Sequence, residues 1–163
     1  MEESVDINVR IDDYILNCRS VGIIRNKNKI LFQKKINDKY FALPGGKICV
    51  GETGEEAIKR EILEEIGVES KVERVHSVVE NFFLFENDKY HQYIFCYILS
   101  VDINSYIFDK EEFMDVENKN IIYKWIDIDK INSEMIKPDY LKDILCDMDN
   151  QDIKFIINNE INN

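Results

Sequence analysis

Three glutamates, Glu61, Glu64 and Glu65, have the i, i+3, i+4 spacing that places side chains together on one face of an α-helix. At a separation of about 5 Å, two carboxylates repel by about 3 kcal/mol at an effective dielectric of about 20. A divalent cation relieves this repulsion, and Mg²⁺ prefers such oxygen ligands and is usually shared with substrate phosphates. The adjacent Arg60 is a second source of compensating charge. The spacing therefore indicates a cation-binding cluster, with a solvated acidic helix face as the alternative.

The segment that carries these glutamates has the start and stop signals of a helix. Thr53, followed three residues later by Glu56, is the pattern of a capping box, in which each side chain satisfies a free backbone N–H of the other. Gly67 stands where a left-handed C-terminal cap is expected. An apolar stripe that can face a core is formed by Ile58, Ile62 and Ile66. The pattern predicts a helix over residues 53–66.

The rest of the chain predicts several strands around this helix. Alternating or β-rich segments cover residues 5–12, 14–25, 30–35, 40–43, 72–85, 90–101 and 121–126. Residues 127–148 have a helical pattern with a break at Pro138, and residues 153–163 predict a short element and a frayed end. This order is typical of a mixed α/β (α+β) sandwich.

The composition limits the partners that the protein can have. The chain of 163 residues has 21 Lys+Arg against 32 Asp+Glu, a formal net charge of −11. Such a field repels phosphate backbones and anionic lipids, so we expect neither DNA nor a membrane as partner. The four cysteines lack the spacing of a zinc or redox site, which predicts buried free thiols and a cytoplasmic location. An acidic protein that binds a phosphate compound needs a bridging cation.

Residues 46–68 resemble the signature of the MutT-like Nudix hydrolases, G-x5-E-x7-R-E-U-x-E-E-x-G-U, where U is a bulky aliphatic residue. Its positions are filled by Gly46, Glu52, Arg60, Glu61, Ile62, Glu64, Glu65, Gly67 and Val68. The preceding Pro44 and Gly45, and Trp125 in a strand before a late helix, are also similar to that family. The resemblance covers about residues 15–148 of a chain expected to form one domain over residues 1–163. It implies the Nudix fold, a mixed β-sheet sandwiched between α-helices.

The resemblance also implies a reaction and a set of catalytic residues. Nudix enzymes hydrolyse the diphosphate bond of a nucleoside diphosphate linked to another moiety, by water attack at phosphorus with Mg²⁺ or Mn²⁺. By motif position, the metal ligands are the carbonyl of Gly46 and the side chains of Glu61, Glu64 and Glu65. Arg60 and Glu52 match positions that hold the signature together by ion pairing. The general base is one of these glutamates or a residue of a later loop, where Glu111, Glu112 and Glu117 are candidates and Glu117 is favoured.

The substrate is less constrained by the sequence. Phe41 and Phe83 are candidates for stacking on a base and His91 for contact with substrate, with packing in the protein as the alternative for each. The substrate expected from the resemblance is a small nucleotide, either a nucleoside triphosphate or a nucleotide sugar or related diphosphate. A catalytically silent nucleotide-binding module is the alternative from another class. A homodimer is compatible with the sequence.

Overall fold

The structure, a computed structural model that describes residues 4–162, is built on a mixed sheet of nine strands. The strands are β1 (Asn8–Ile11), β2 (Tyr14–Asn26), β3 (Lys29–Lys35), β4 (Gly45–Lys47), β5 (Ser70–Phe85), β6 (Asp88–Val101), β7 (Glu112–Met114), β8 (Ile121–Asp127) and β9 (Lys154–Asn159). The helices are α1 (Gly54–Ile66) and α2 (Tyr140–Leu145), with 3₁₀ turns at Tyr106–Asp109 and Ile128–Ser133. The mixed α/β architecture predicted from the sequence is confirmed.

Strand β2 is the hub of the sheet, whose order is β7-β8-β3-β2-β6-β5-β9. It pairs in parallel with β6 along one edge, and with β1, β4 and the start of β3 in turn along the other edge. The β2–β3 pairing is confined to Arg25 and Asn26 opposite Ile30 and Lys29. Beyond this hairpin β3 pairs with β8, so β2 and β3 diverge and leave a gap in the sheet.

Each face of the sheet is covered by helical structure. On one face, the isoleucine stripe of α1 (Ile58, Ile62 and Ile66) is fully buried and packs in one cluster with Tyr123 and Trp125. On the other face, α2 and the second 3₁₀ turn bury Leu141, Leu145 and Ile131 against Ile23 and Phe32. Burial of these side chains stabilises the sandwich by about 1.5–3 kcal/mol per large apolar residue. The predicted helix stripe is confirmed.

The predicted helical segment over residues 127–148, with its break at Pro138, is correct only in part. Only the 3₁₀ turn Ile128–Ser133 and the short α2 are helical. Between them the chain is held extended by Phe41, whose N–H donates to the carbonyl of Met135 and whose carbonyl accepts from Lys137. Pairing with a distant segment therefore overrides the local helical pattern. Within residues 4–162, no helix is long and apolar enough to cross a membrane.

Two smaller predictions need correction. Residues 40–43 do not form a strand, because only isolated bridges join Ala42 to Gln33 and Phe41 to Ile136. The predicted short element near the C-terminus is confirmed as β9, an edge strand parallel to β5. The expectation of buried thiols holds for Cys49 and Cys96 alone, since Cys18 is half-buried and Cys146 is exposed.

Candidate active site

Helix α1 carries the three glutamates and has both predicted caps. The Glu56 N–H donates to Thr53 Oγ1 at 3.2 Å, and the Thr53 N–H donates to Glu56 Oε2 at 2.8 Å. At the other end, Gly67 has a φ of 77°, and its N–H donates to the Leu63 carbonyl at 3.0 Å. Glycine adopts this left-handed conformation without steric strain. The predicted capping box and C-cap are confirmed, and they fix the length and register of the helix under the site.

Arg60 joins the helix to the loop that precedes it. Its guanidinium donates to both carboxylate oxygens of Glu52, at 2.8 and 3.0 Å, and Nη1 donates to Glu61 at 2.7 Å and Glu64 at 3.2 Å. Glu52 also accepts from the N–H of Cys49 at 3.0 Å. The hydrogen bonds that Arg60 donates to Glu52 hold the pKa of Glu52 below its usual value, and the same bonds raise the pKa of Arg60. This network locks the loop to the face of α1 that carries the glutamates.

Gly46 lies directly against the carboxylate of Glu61. A Cβ atom at position 46 would overlap the carboxyl carbon and both oxygens of that side chain. Glu61 is held in this place by Arg60, and its side chain is only 15% exposed. The absence of a side chain at position 46 therefore brings backbone and carboxylate oxygens together in a partly buried volume.

Glu65 lies deeper and contacts residues far from it in the sequence. The hydroxyl of Tyr123 lies 2.9 Å from Glu65 Oε2 and 3.2 Å from Asp115 Oδ2, and Asp115 is 1% exposed. Burial raises the pKa of Glu65 to about 7; the Tyr123 hydrogen bond opposes the rise, and the charges of Glu61 and Asp115 add to it. The site thus holds a cluster of negative charge that the sequence analysis located only in part. Tyr123 and Asp115 were missed because they have no local signal beyond a polar residue after a short strand.

The donor set suits a hard divalent cation. Carboxylate oxygens and a backbone carbonyl are the ligands that Mg²⁺ prefers. The pKa of Glu65 is raised first by burial and then by the negative charges of Glu61 and Asp115. Within residues 4–162 no three acidic, histidine or cysteine side chains already stand in a finished ligand cluster. One reason is that Arg60 Nη1 donates to both Glu61 and Glu64. The residues fit a divalent cation that binds these two carboxylates either together with Arg60 or in its place.

Of the other predicted site residues, Glu117 contacts this cluster through its backbone, and the three aromatic residues pack elsewhere. Glu117 is exposed in the loop after β7, and its N–H donates to Asp115 Oδ1 at 2.9 Å. Phe41 is 6% exposed and belongs to the core on the α2 side. Phe83 stacks on Tyr90 near the β5–β6 turn, with ring centroids 4.8 Å apart. His91 packs between Phe82 and Tyr93, and strand alternation places it on the opposite face of the sheet from Phe83.

A cavity of about 230 Å³ opens in the gap between β2 and β3. Its lining combines the sheet residues Arg19 and Gln92 with Lys137 and Tyr140 from the segment at the start of α2. Arg19 Nη2 donates to the Gly45 carbonyl at 3.2 Å. Burial lowers the pKa of Arg19, and the charges of Glu61 and Glu65 oppose this, so Arg19 is electrostatically coupled to both carboxylates. The cavity and the carboxylate cluster therefore meet at Arg19.

A row of buried amides runs beside this cavity across four strands. Asn158 Nδ2 donates to Glu160 Oε1 at 3.2 Å and to Asn81 Oδ1 at 2.7 Å. Asn81 Nδ2 then donates to Gln92 Oε1 at 3.2 Å, and Gln92 Nε2 donates to Asn17 Oδ1 at 2.8 Å. Because the ionised carboxylate of Glu160 can only accept, it sets the direction of the whole row. Gln92 consequently has one N–H left for a ligand.

Comparisons of the sequence with known proteins identify its relatives. The NUDIX domain family model matches residues 16–145. The chain is 50% identical over 60 residues to an ADP-ribose pyrophosphatase of Methanocaldococcus jannaschii, which is 35% of this chain and 36% of that protein. It is 40% identical over 76 residues to the 8-oxo-dGTP diphosphatase of Escherichia coli, which is 44% of this chain and 52% of that protein. The chain therefore spans about a third to a half of the length of these curated relatives.

The fold is shared with solved structures at low sequence identity. The solution structure of the E. coli ORF135 protein has a TM-score of 0.59 and 15% sequence identity, with 84% of this chain and 91% of that chain covered. The family model covers most of the chain, and the motif at residues 46–68 lies inside the matched region. The chain therefore belongs to the NUDIX domain family.

Proposed function

We propose that the protein is a divalent-metal-dependent pyrophosphohydrolase that cleaves the diphosphate bond of a nucleoside diphosphate linked to another moiety. The observation that carries this proposal is the contact of the Glu61 carboxylate with the backbone of Gly46, on a helix face where Arg60 binds Glu61 and Glu64. Two curated relatives are named as an ADP-ribose pyrophosphatase and an 8-oxo-dGTP diphosphatase, which supports the same reaction class.

The glutamates and the Gly46 carbonyl would hold Mg²⁺ or Mn²⁺. When bound, such a cation offsets the charge of the diphosphate, polarises phosphorus and lowers the pKa of a coordinated water. Glu64 is the glutamate suited to take a proton from the attacking water, because its side chain is 46% exposed against 15% for Glu61. Water oxygen forms the new bond to phosphorus while the bridging P–O bond breaks, which releases two phosphorylated products. Arg19 supplies positive charge for the phosphates between the glutamates and the cavity.

The cavity beside Arg19 is the proposed site for the base. Its volume of about 230 Å³ is just below the range of about 300–1,000 Å³ typical of small-molecule pockets. We propose that the remaining N–H of Gln92 faces the 6-position of a purine, where guanine presents a carbonyl oxygen that accepts and adenine an amino group that does not. Phe41, Phe83 and His91 are not among the residues that line this cavity, so we propose no role in base binding for them.

The experiment that tests the reaction is a substrate panel with Mg²⁺. Release of phosphate or pyrophosphate is measured for nucleoside triphosphates, nucleotide sugars, dinucleotides and ADP-ribose. We expect hydrolysis of at least one class, which EDTA abolishes and Glu64→Gln abolishes without change in the circular dichroism spectrum. Hydrolysis that survives both treatments would contradict the proposal, as would inactivity towards every compound. Activity confined to nucleotide sugars would favour the alternative substrate class.

A reducing, cytoplasmic location is part of the proposal. Its support is that all four cysteines are free thiols, including the exposed Cys146 and the half-buried Cys18. Exposed thiols oxidise readily outside a reducing compartment.

A further inference from the structure

The hydroxyl of Tyr123 has an unusual set of neighbours. The tyrosine lies in β8 and is fully buried. Its hydroxyl lies 2.9 Å from Glu65 Oε2, 3.0 Å from Gln33 Oε1 and 3.2 Å from Asp115 Oδ2. All three neighbours are acceptors, yet a hydroxyl has one proton to donate. The shortest of the three contacts is the one to Glu65.

Packing does not account for a hydroxyl at this position. The ring of Tyr123 stacks on Phe113 with centroids 5.3 Å apart, and a phenylalanine would keep this contact. The phenol oxygen instead places a polar atom in the core between two carboxylates, and burial of polar groups is unfavourable unless they are hydrogen-bonded. The hydroxyl is therefore explained by its hydrogen-bonding contacts with the carboxylates of Glu65 and Asp115.

Asp115, the second carboxylate beside the hydroxyl, is itself held in place by the backbone of its loop. Its Oδ1 accepts from the N–H groups of Glu117 at 2.9 Å and Asn118 at 2.8 Å. The next residue, Val116, donates its N–H to the Glu65 carbonyl at 2.7 Å. The loop after β7 is thus tied to the end of α1, and Asp115 and Tyr123 approach Glu65 on a rigid frame.

We propose that Tyr123 is a positioning residue for the carboxylate of Glu65, and that Asp115 holds Tyr123 in place. The hydroxyl binds Oε2 and leaves Oε1, which has no hydrogen-bond partner among residues 4–162, as the oxygen for a divalent cation. Both residues lie outside the motif at residues 46–68. The inference rests on the proposed function, in which Glu65 binds a divalent cation. Residues that orient metal ligands typically change metal affinity or activity by about 10–100-fold when mutated.

The test is the affinity of the purified protein for Mn²⁺, measured by electron paramagnetic resonance of the free ion. Tyr123→Phe is expected to weaken Mn²⁺ binding by about 10-fold and to lower kcat while leaving the KM for the nucleotide unchanged. The matched control is Tyr97→Phe, because Tyr97 belongs to the same core cluster and its hydroxyl lies instead beside Gly54. Tyr97→Phe is expected to bind Mn²⁺ as the wild type does. Equal affinities of Tyr123→Phe and wild type would overturn the proposal.

A pair of variants at position 115 independently tests the proposal that Asp115 holds Tyr123 in place. Asp115→Ala removes the acceptor of two loop N–H groups, and we expect weakened Mn²⁺ binding. Asp115→Asn keeps the Oδ1 acceptor and can donate to the Tyr123 oxygen, so we expect affinity within about twofold of wild type. Wild-type affinity in Asp115→Ala would contradict the role of Asp115. The order of Mn²⁺ affinities is read without any substrate, so the positioning role can stand if the substrate panel fails, and fail if the panel succeeds.

Discussion

Gly46 and Glu61 contact each other across the site, because the Glu61 carboxylate occupies the space where a Cβ atom at position 46 would lie. Gly46 lies in β4, and Glu61 lies on the facing side of α1. The distance between strand and helix is therefore set by a glycine, and a partly buried carboxylate fills the space.

Replacing this glycine should damage the site more than the fold. In Gly46→Ala the new methyl group must displace the Glu61 carboxylate, and we expect hydrolysis to fall by about 10–100-fold. The control is Gly51→Ala, which has a φ of +84° and no atom within 4 Å of the added Cβ. That variant should lose about 1 kcal/mol of unfolding free energy through backbone strain and keep its activity. Full activity in Gly46→Ala would show that the contact with Glu61 is dispensable.

Arg60→Ala should lower both stability and turnover. The arginine is 29% exposed and binds Glu52, Glu61 and Glu64, so its loss leaves three carboxylates close together. We expect the free energy of unfolding in urea to fall by about 2 kcal/mol. Arg10→Ala is the matched control, because the Arg10–Asp88 pair is exposed and should contribute less than about 0.5 kcal/mol. Equal losses in the two variants would mean that the Arg60 network adds nothing beyond a surface ion pair.

The parts of the fold that follow from local signals were predictable from the sequence. The helix, both of its caps and its isoleucine stripe depend on spacings of a few residues. Within residues 127–148, the part between the two helical stretches was mispredicted because Phe41, far away in the sequence, pairs with Met135 and Lys137 and holds them extended. A pattern read along one segment contains no information about such a partner.

The site residues likewise divide into those marked by local spacing and those brought together only by long-range pairing. Gly46, Arg60 and the glutamates lie within one continuous segment, and their chemistry is visible in their spacing. Arg19, Asp115 and Tyr123 reach the site only through sheet pairing, so no spacing marks them. Phe41 was a reasonable stacking candidate by residue type, but the same pairing that straightens residues 135–137 buries it in the core.

Gln92→Leu should change selectivity among bases. The variant removes the N–H that faces the cavity and keeps a side chain of similar size, so kcat/KM for GTP should fall by about 10-fold while that for ATP stays the same. Gln151→Leu, at an exposed position outside the cavity, is the control. Parallel losses for GTP and ATP would contradict recognition of a carbonyl oxygen by Gln92.

Stability should depend on pH through His76. The imidazole is 1% exposed, and burial, together with the charges of Lys154 and Arg74, lowers its pKa from 6.5 to about 4. Between these values the unfolded chain binds a proton that the folded protein excludes. The contribution is therefore complete above pH 6.5 and is lost as the pH falls towards 4, by about 3 kcal/mol in total.

The measurement is urea unfolding of wild type and His76→Gln between pH 7 and pH 4.5. All other titrating groups are shared, so the difference between the two pH dependences belongs to His76. We expect a shallower loss of stability in the variant. Identical pH dependences would show that the histidine titrates equally in both states.

The central claim, that Glu61, Glu64 and Glu65 bind the cation used in hydrolysis, is tested most directly by titrating Mn²⁺ into the protein in a calorimeter. The account predicts saturable binding by the wild type, weakened by at least about 10-fold in Glu64→Gln. It predicts unchanged binding in Glu55→Gln, whose side chain lies on the same helix and pairs with Lys59. Absence of Mn²⁺ uptake by the wild type, with and without a nucleotide present, would contradict it.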